Sequence, residues 1–188
     1  MTGLTRREML ASAAVLGMAG AVPAAFAQEA VPSLNALALA KGMRFGSCVA
    51  WSPPGADRGA FANPAYAALL ERDCGILVPE NEFKWRALRP DPARFDVTRF
   101  ADMLDYAEAK GMAMRGHTLL WHKTEYFPKW LNEYDFGANP RAKAEKLLGD
   151  HIRTLCRLYG DRIVSFDVVN ETIDEKTGGQ RESSLSKA

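Results

Sequence analysis

The sequence has few of the residues and motifs that mark several large classes of protein. It contains three cysteines and no Cys-x-x-Cys pair, so a disulfide scaffold is not indicated. Its 24 basic and 23 acidic residues give a formal net charge of +1, which does not favour a nucleic-acid partner. The absence of a glycine-rich phosphate loop and of a nucleophile elbow argues against nucleotide binding and against a Ser-His-Asp hydrolase. The apolar fraction of 47% is typical of a folded globular protein.

The few cysteines and histidines do not form a metal-binding pattern. His117 and His122 are five residues apart and do not match the i, i+4 spacing of a helical zinc pair. His151 lies between leucine and isoleucine positions of a helical pattern, which predicts a core or boundary histidine. No metal is therefore predicted. The three cysteines each lie in or beside an apolar run, which predicts small buried side chains; they are Cys48, Cys74 and Cys156.

The first 27 residues have the pattern of an export signal. Arg6 and Arg7 precede an alanine-rich apolar run over 9–22, and Ala25-Phe26-Ala27 resembles a cleavage site. The adjacent arginines resemble a twin-arginine signal. A retained membrane helix is the alternative, but the run is shorter than the ~20 residues that span a bilayer. Cleavage predicts a mature domain over 28–188 with 22 basic and 22 acidic residues, periplasmic or secreted, without stable membrane association.

Strand and helix patterns alternate along the remaining chain. Two helical patterns open with Asn-Pro, which suits a helix N-cap followed by the first helical residue, at Asn63 and Asn139. The second has an apolar stripe that includes Leu148, Ile152, Leu155 and Tyr159. The predicted strands span 44–49, 76–78, 112–117 and 163–169. Alternating strands and helices predict parallel βαβ units in an α/β fold.

Polar and aromatic residues follow three consecutive strands. The second strand leads to "PENEFKW", the third to "GHTLLWH", and the fourth to Asn170 and Glu171. The carboxyl ends of parallel strands meet at one edge of the sheet, where such folds place their ligands. Aromatic faces beside amides and charges are what a sugar-binding cleft requires, so the sequence predicts one shared carbohydrate site.

Period-2 alternation assigns two faces to the fourth strand. The helix-facing side is predicted to carry Val164, Phe166, Val168 and Asn170. The interior side is predicted to carry Ser165, Asp167, Val169 and Glu171. Because Asp167 needs a partner there, Arg115 on the third strand is predicted to pair with it.

The three motifs "PENEFKW", "RGHTLLWH" and "DVVNE", in this order, resemble the glycoside hydrolase family ten xylanases over about residues 44–182. That family is a (β/α)8 TIM barrel of retaining endo-β-1,4-xylanases that act on xylan and xylo-oligosaccharides, with no cofactor. The resemblance implies that Glu171 is the general acid/base and that Asn170 lies beside the sugar 2-hydroxyl.

The same resemblance assigns the other site residues. His117 and Trp121 are implied to lie beside the sugar at the cleavage point. Glu80, Asn81 and Lys84 are implied to lie one sugar further toward the non-reducing end. Among their neighbours, Glu82 and Trp130 are predicted to be structural, and Trp85 is left open between packing and site.

The sequence departs from the family in extent. Retaining hydrolysis needs a nucleophile about 5 Å from the acid/base, and the family nucleophile ends the seventh strand. About four βα units are recognisable here, followed by "EKTGGQRESSLSKA", which predicts a polar loop without a fourth helix. The chain therefore resembles the N-terminal half of the catalytic domain. The alternatives are an inactive half-barrel that at most binds xylo-oligosaccharide, and a related β-1,4-glycanase.

Overall fold

The computed structural model describes residues 31–56 and 61–188, so the predicted signal over 1–27 lies outside the described residues. Four strands form one parallel sheet in the order β1-β2-β3-β4. They are β1 Gly46–Val49, β2 Ile76–Pro79, β3 Ala113–Trp121 and β4 Ser165–Asn170. The predicted alternation of parallel strands with helices is confirmed.

Seven helices connect and flank these strands in the described part of the chain. They are α1 Leu34–Leu39, α2 Pro64–Asp73, α3 Trp85–Leu88, α4 Thr98–Ala109, α5 Lys129–Asn132, α6 Pro140–Tyr159 and α7 Ser184–Lys187. The Asn63 side chain accepts hydrogen bonds from the backbone N–H groups of Ala65 and Tyr66, which confirms its predicted role as the cap of α2. Asn139 precedes α6 as predicted but forms no side-chain cap bond.

The main core lies between the sheet and helices α2, α4 and α6. Phe83, on the exit from β2, is fully buried; its ring centroid lies 4.6 Å from that of Phe100 and 6.0 Å from that of Phe166. Gly116 on β3 permits this packing, since a Cβ there would lie 2.6 Å from the Phe166 ring. Burying these rings is the main favourable contribution to folding at this end of the sheet.

Helix α6 buries a face that is shifted from the predicted stripe. Leu155 and Tyr159 are buried as expected, whereas Leu148 and Ile152 are only partly buried. The turn between them is filled by His151, which is fully buried and stacks on Trp85 with centroids 4.1 Å apart. His151 is thus a core histidine, as predicted, and Trp85 is a packing residue. Trp130 also packs, and its indole N–H donates to the Arg89 carbonyl.

Burial lowers the pKa of His151 to about 3, with a smaller contribution from the nearby Arg89 guanidinium. The unfolded histidine titrates near 6.5. Between these values the unfolded state binds the extra proton, so stability falls as the pH falls. We expect unfolding by urea to show a loss of about 2 kcal/mol between pH 7 and pH 5 that is absent in His151→Gln. An unchanged pH dependence in the variant would contradict this assignment.

Strand β4 differs from the predicted two-faced strand. Phe166 packs against the core as expected, but Val164 and Val168 are 54% and 56% exposed. The reason is that β4 is an edge of the sheet in the described part of the chain, where neither a second neighbouring strand nor a closely packed helix covers these side chains. The prediction that its apolar side packs on helices is therefore wrong for these two valines.

Cys48 and Cys156 are exposed rather than buried as predicted. Cys48 lies on the face of β1 that the helices do not cover, and Cys156 lies on the outer side of α6. The segment after β4 is not a structureless loop. It folds back through a bridge between Ile173 and Gln180 and ends in the single-turn helix α7, which a capping box at Ser183 starts.

Candidate active site

The exit of β2 is held in place by a buried carboxylate. Glu82 is 8% exposed, and its oxygens accept hydrogen bonds from the backbone N–H of Trp51 at 3.0 Å and of Asn81 at 2.9 Å. Glu82 therefore joins the loops that follow β1 and β2, which agrees with its predicted structural role. This junction leaves Glu80 exposed and Asn81 half-buried at the edge of the sheet.

Lys84 and Trp121 connect the exits of β2 and β3. The Lys84 side chain is nearly buried, and its Nζ lies 4.1 Å from the centroid of the Trp121 ring. The ring of Tyr126 stacks on Trp121 with centroids 3.7 Å apart and planes 8° apart. Burial, and then the charge of Arg86, lower the pKa of Lys84. Trp121 is thus held between a cation and an aromatic ring.

Tyr126 was not identified from the sequence. It lies in a short 3-10 turn, Thr124–Tyr126, directly after the "LLWH" motif. The available signal was a tyrosine five residues after a predicted site tryptophan, which is weak by itself. The indole N–H of Trp121 is buried and has no hydrogen-bond partner among the described residues. Because this N–H is unpaired at the exit of β3, it can donate to a ligand oxygen.

The interior face of β3 and β4 carries a charged cluster. The Arg115 guanidinium pairs with the Asp167 carboxylate, with Nε 3.2 Å from Oδ2, which confirms the predicted pair. Nδ1 of His117 lies 2.8 Å from the same Oδ2. Arg115 first, and also His117, hold the pKa of Asp167 below its usual range. When Nδ1 donates to Asp167, Nε2 of His117 is left as an acceptor on the open side of the ring.

Asp167 provides a stability test of this cluster. We expect Asp167→Asn to lower the free energy of unfolding by about 1–2 kcal/mol at pH 7, because Arg115 loses its charged partner although it is half exposed to solvent. A carboxylate with a lowered pKa stabilises the fold above its unfolded pKa, and this contribution is lost as the pH falls through the folded pKa. The unfolding free energies of the two proteins, measured with urea, should therefore converge as the pH falls below the folded pKa of Asp167. A difference that stays constant with pH would contradict the ion-pair explanation.

Glu171 follows β4 in a backbone conformation that residues other than glycine rarely adopt. Its φ is 53°, and it is the single non-glycine residue with positive φ in the described part of the chain. Arg181 stabilises this backbone conformation. Its Nε donates to the Glu171 carbonyl at 3.0 Å, while its other nitrogens pair with Asp174 and Glu175. The side chain of Glu171 is 40% exposed, so it is accessible from solvent.

A lysine lies beside the Glu171 carboxylate. Nζ of Lys123 is 3.9 Å from Glu171 Oε2 and 3.0 Å from Glu125 Oε1. Both lysine and Glu125 belong to the same exit from β3 that carries Trp121. The sequence does not identify either residue as part of the site, since a charge pair in a polar loop has no distinguishing pattern.

The structure brings most of the predicted residues to one edge of the sheet. Trp121 pairs with Asn170 in the β3–β4 register, and the Asn170 carbonyl accepts a hydrogen bond from the His122 backbone at 3.0 Å. Lys84 links the exit of β2 to Trp121. Six of the seven predicted residues therefore lie at the ends or exits of three neighbouring strands; they are Glu80, Asn81, Lys84, Trp121, Asn170 and Glu171. His117 lies within β3, on the same face as Asp167 of β4, rather than at the strand exit.

Two structural observations concern metals and membranes. Within residues 31–56 and 61–188, no three His, Cys, Asp or Glu side chains are grouped so as to hold a metal ion. In the same ranges, no helix has both the length and the apolar character needed to cross a membrane.

Comparison with curated proteins shows similarity to xylanases. The chain is 30% identical over 131 residues to endo-1,4-beta-xylanase 3 of Hypocrea jecorina, covering 70% of this chain and 36% of the relative. It is 29% identical over 133 residues to endo-1,4-beta-xylanase B of Thermotoga neapolitana, covering 71% of this chain and 35% of the relative. The chain thus spans about a third of the length of the curated relatives it matches.

Solved structures give the same result for the fold. The crystal structure of xylanase 10B from Thermotoga maritima matches with a TM-score of 0.71 and 28% identity, over 82% of this chain and 45% of that one. Xylanase 10B from Thermotoga petrophila, solved with xylobiose, matches with a TM-score of 0.72 and 28% identity, over 84% and 45%. These neighbours are (β/α)8 barrels, so the four strands are part of such a barrel. The family model for glycosyl hydrolase family 10 matches residues 33–188, and the chain therefore belongs to glycosyl hydrolase family 10.

Proposed function

We propose that this protein takes part in the retaining hydrolysis of internal β-1,4 bonds of xylan, with Glu171 as the general acid/base. The observation that carries the proposal is the position of Glu171. It directly follows β4, in a constrained backbone conformation, at the same sheet edge as the aromatic and amide side chains of the other two exits. Strained backbone at such an edge favours a functional role for the residue.

The chemistry assigned to Glu171 has two steps. Its carboxyl group first donates a proton to the glycosidic oxygen as the bond breaks. Its carboxylate then takes a proton from the water that releases the sugar from the covalent intermediate. A second carboxylate must form that intermediate, and the family resemblance places it at the end of a seventh strand. The residues described here supply the acid/base part of the reaction.

The remaining residues are proposed to hold the sugar chain. The unpartnered indole N–H of Trp121 is a donor for a sugar oxygen, and Asn170 is proposed to contact the 2-hydroxyl. Nε2 of His117, freed by the bond from Nδ1 to Asp167, is available as an acceptor for a hydroxyl. Glu80, Asn81 and Lys84 are proposed to contact the next sugar toward the non-reducing end. The Thermotoga petrophila relative was solved in complex with xylobiose, which supports a xylo-oligosaccharide as the ligand here.

The function is tested by measuring reducing ends released from xylan, from a soluble cellulose derivative and from mannan. We expect release from xylan to exceed the others at least tenfold, with the β-anomer of the new reducing end appearing first by NMR. Equal or faster cleavage of cellulose or mannan would assign the protein to another group of β-1,4-glycanases. First appearance of the α-anomer would contradict the retaining mechanism.

Binding of xylo-oligosaccharide without turnover is the second candidate. It is favoured by the arrangement of Lys84, Trp121 and Tyr126, which can contact a sugar ring without any proton transfer. Calorimetry with xylotetraose separates the candidates: affinity without release of reducing ends supports binding alone, and release of reducing ends supports catalysis.

We also propose that the protein is exported, because of the signal pattern that ends at Ala27. Mass spectrometry of the protein from its own host should find an N-terminus at Gln28. Recovery of an intact N-terminus from the cytoplasm would contradict export.

A further inference from the structure

A cavity of about 280 Å³ lies beside the exit of β2, and three arginines line it. Arg86 belongs to α3, Arg94 to the following loop and Arg99 to the first turn of α4. Glu82 and Asp96 contribute the acidic part of the lining. We call this cavity the arginine pocket.

The arginine pocket shares a wall with the candidate active site. Nη2 of Arg86 donates to Asn81 Oδ1 at 3.1 Å, and its guanidinium lies 5.1 Å from the centroid of the Tyr126 ring. Asn81 is proposed to contact a main-chain sugar, and Tyr126 stacks on Trp121. The pocket therefore adjoins the position proposed for that sugar.

The charges of the pocket do not cancel. Arg94 is engaged by Asp91 at 3.1 Å and by Asp96 at 3.8 Å. The Glu82 carboxylate is occupied by two backbone N–H donors, as described above, which disperses its negative charge. Arg86 has an amide oxygen as its hydrogen-bond partner and no carboxylate within 4.0 Å among the described residues.

Arg99 is the second cation without an acidic partner in the described residues. Its guanidinium lies 4.8 Å from the centroid of the Trp51 ring, which is a contact that leaves its hydrogen-bond donors available. Two arginines with free donors in one cavity form a site for a planar anion. A guanidinium fork matches a carboxylate in geometry and binds it with two parallel hydrogen bonds.

We propose that the arginine pocket binds the carboxylate of a uronosyl branch carried by the xylan main chain. The inference rests on the proposed function and extends it from the neutral main chain to an acidic side group. An unsubstituted xylan chain carries no charge, so it has no use for two uncompensated arginines. The pocket adjoins Asn81 through the hydrogen bond from Arg86, so a branch on the sugar proposed to contact Asn81 would lie close to it.

The test compares two ligands by calorimetry at low salt: xylotetraose, and xylotetraose carrying one glucuronosyl branch. We expect the branched ligand to bind about tenfold more tightly, with an advantage that declines as salt is added. Arg86→Gln and Arg99→Gln should each reduce the ratio of the two affinities to about threefold or less. Arg141→Gln is the matched control, because it removes one exposed arginine from α6, far along the chain from the pocket, and should leave the ratio unchanged.

Three outcomes would overturn the proposal. The first is equal affinity of the protein without substitutions for xylotetraose and for its branched form. The second is an equal loss in the Arg141→Gln control, which would indicate a general effect of net charge. The third is binding of inorganic phosphate at Arg86 and Arg99 without any advantage for the branched ligand.

Failure of the proposed function gives a different result. If neither oligosaccharide binds, the carbohydrate cleft is wrong and the branch assignment falls with it. Free D-glucuronate, monitored through the NMR signals of the arginine side chains, then reports on the pocket alone. Shifts at Arg99 on addition of glucuronate that Arg86→Gln abolishes would show a carboxylate site without a xylan function.

Discussion

Replacing Glu171 by glutamine is expected to reduce hydrolysis of unactivated xylo-oligosaccharides by about 10²–10⁴-fold, because proton transfer by a positioned acid contributes that much to such reactions. Glutamine preserves the size of the side chain and its hydrogen-bonding ability but cannot donate the proton to the leaving oxygen. Affinity for xylotetraose should change by only a few fold. The measurement is initial-rate kinetics together with calorimetry on the same protein samples.

The leaving group makes this test specific for an acid. A dinitrophenyl xylobioside needs little protonation as it leaves, so formation of the intermediate from it should be affected far less by Glu171→Gln than cleavage of xylohexaose. Glu125→Gln is the matched control: it removes the other carboxylate beside Lys123 and should leave both rates nearly unchanged. An equal loss on both substrates in Glu171→Gln would reject the acid role.

Replacing Phe83 by alanine is expected to destabilise the fold by about 3–5 kcal/mol, which is the usual cost of deleting a fully buried ring. Phe83 is 0% exposed and packs on Phe100 and Phe166. It also lies between Asn81 and Lys84 in the chain, so the cavity opens directly beneath the exit of β2. Urea unfolding followed by fluorescence measures the loss.

Phe45→Ala is the control for this substitution. Phe45 is 38% exposed and precedes β1, so its removal should cost about 1 kcal/mol or less. Similar losses for the two variants would show that the ring of Phe83 does not anchor the core. A stable Phe83→Ala protein that fails to bind xylotetraose would show that the ring positions the site rather than the fold.

Local patterns in the sequence were enough to predict the sheet and the edge at which most of the candidate site residues lie. Asn63 and Pro64 start α2 because their side chains act on neighbouring backbone groups, an effect that is readable from adjacent residues. Arg115 and Asp167 were paired by alternation alone, since parallel strands place residues of matching parity on one face. The same reasoning brought the exits of β2, β3 and β4 together.

The missed features depend on contacts between distant segments. The buried face of α6 depends on the stacking of His151 on Trp85, which lies 66 positions earlier in the chain. A stripe of apolar residues within α6 does not predict that contact. The stack of Tyr126 on Trp121 depends on the path of the β3 exit. The exposure of Val164 and Val168 depends on which strands lie beside β4, which periodicity within β4 does not specify.

At position 171, the residue that the backbone conformation favours differs from the residue that the proposed catalysis needs. A left-handed conformation costs an ordinary L-residue roughly 1–2 kcal/mol relative to a right-handed one, whereas glycine adopts it freely. Glycine at position 171 therefore relieves backbone strain while it removes the proposed proton donor. Selection for stability alone favours glycine there, and selection for turnover retains glutamate. Under the proposed function, a lineage that no longer cleaves xylan is expected to lose this glutamate early and to gain thermal stability when glycine replaces it.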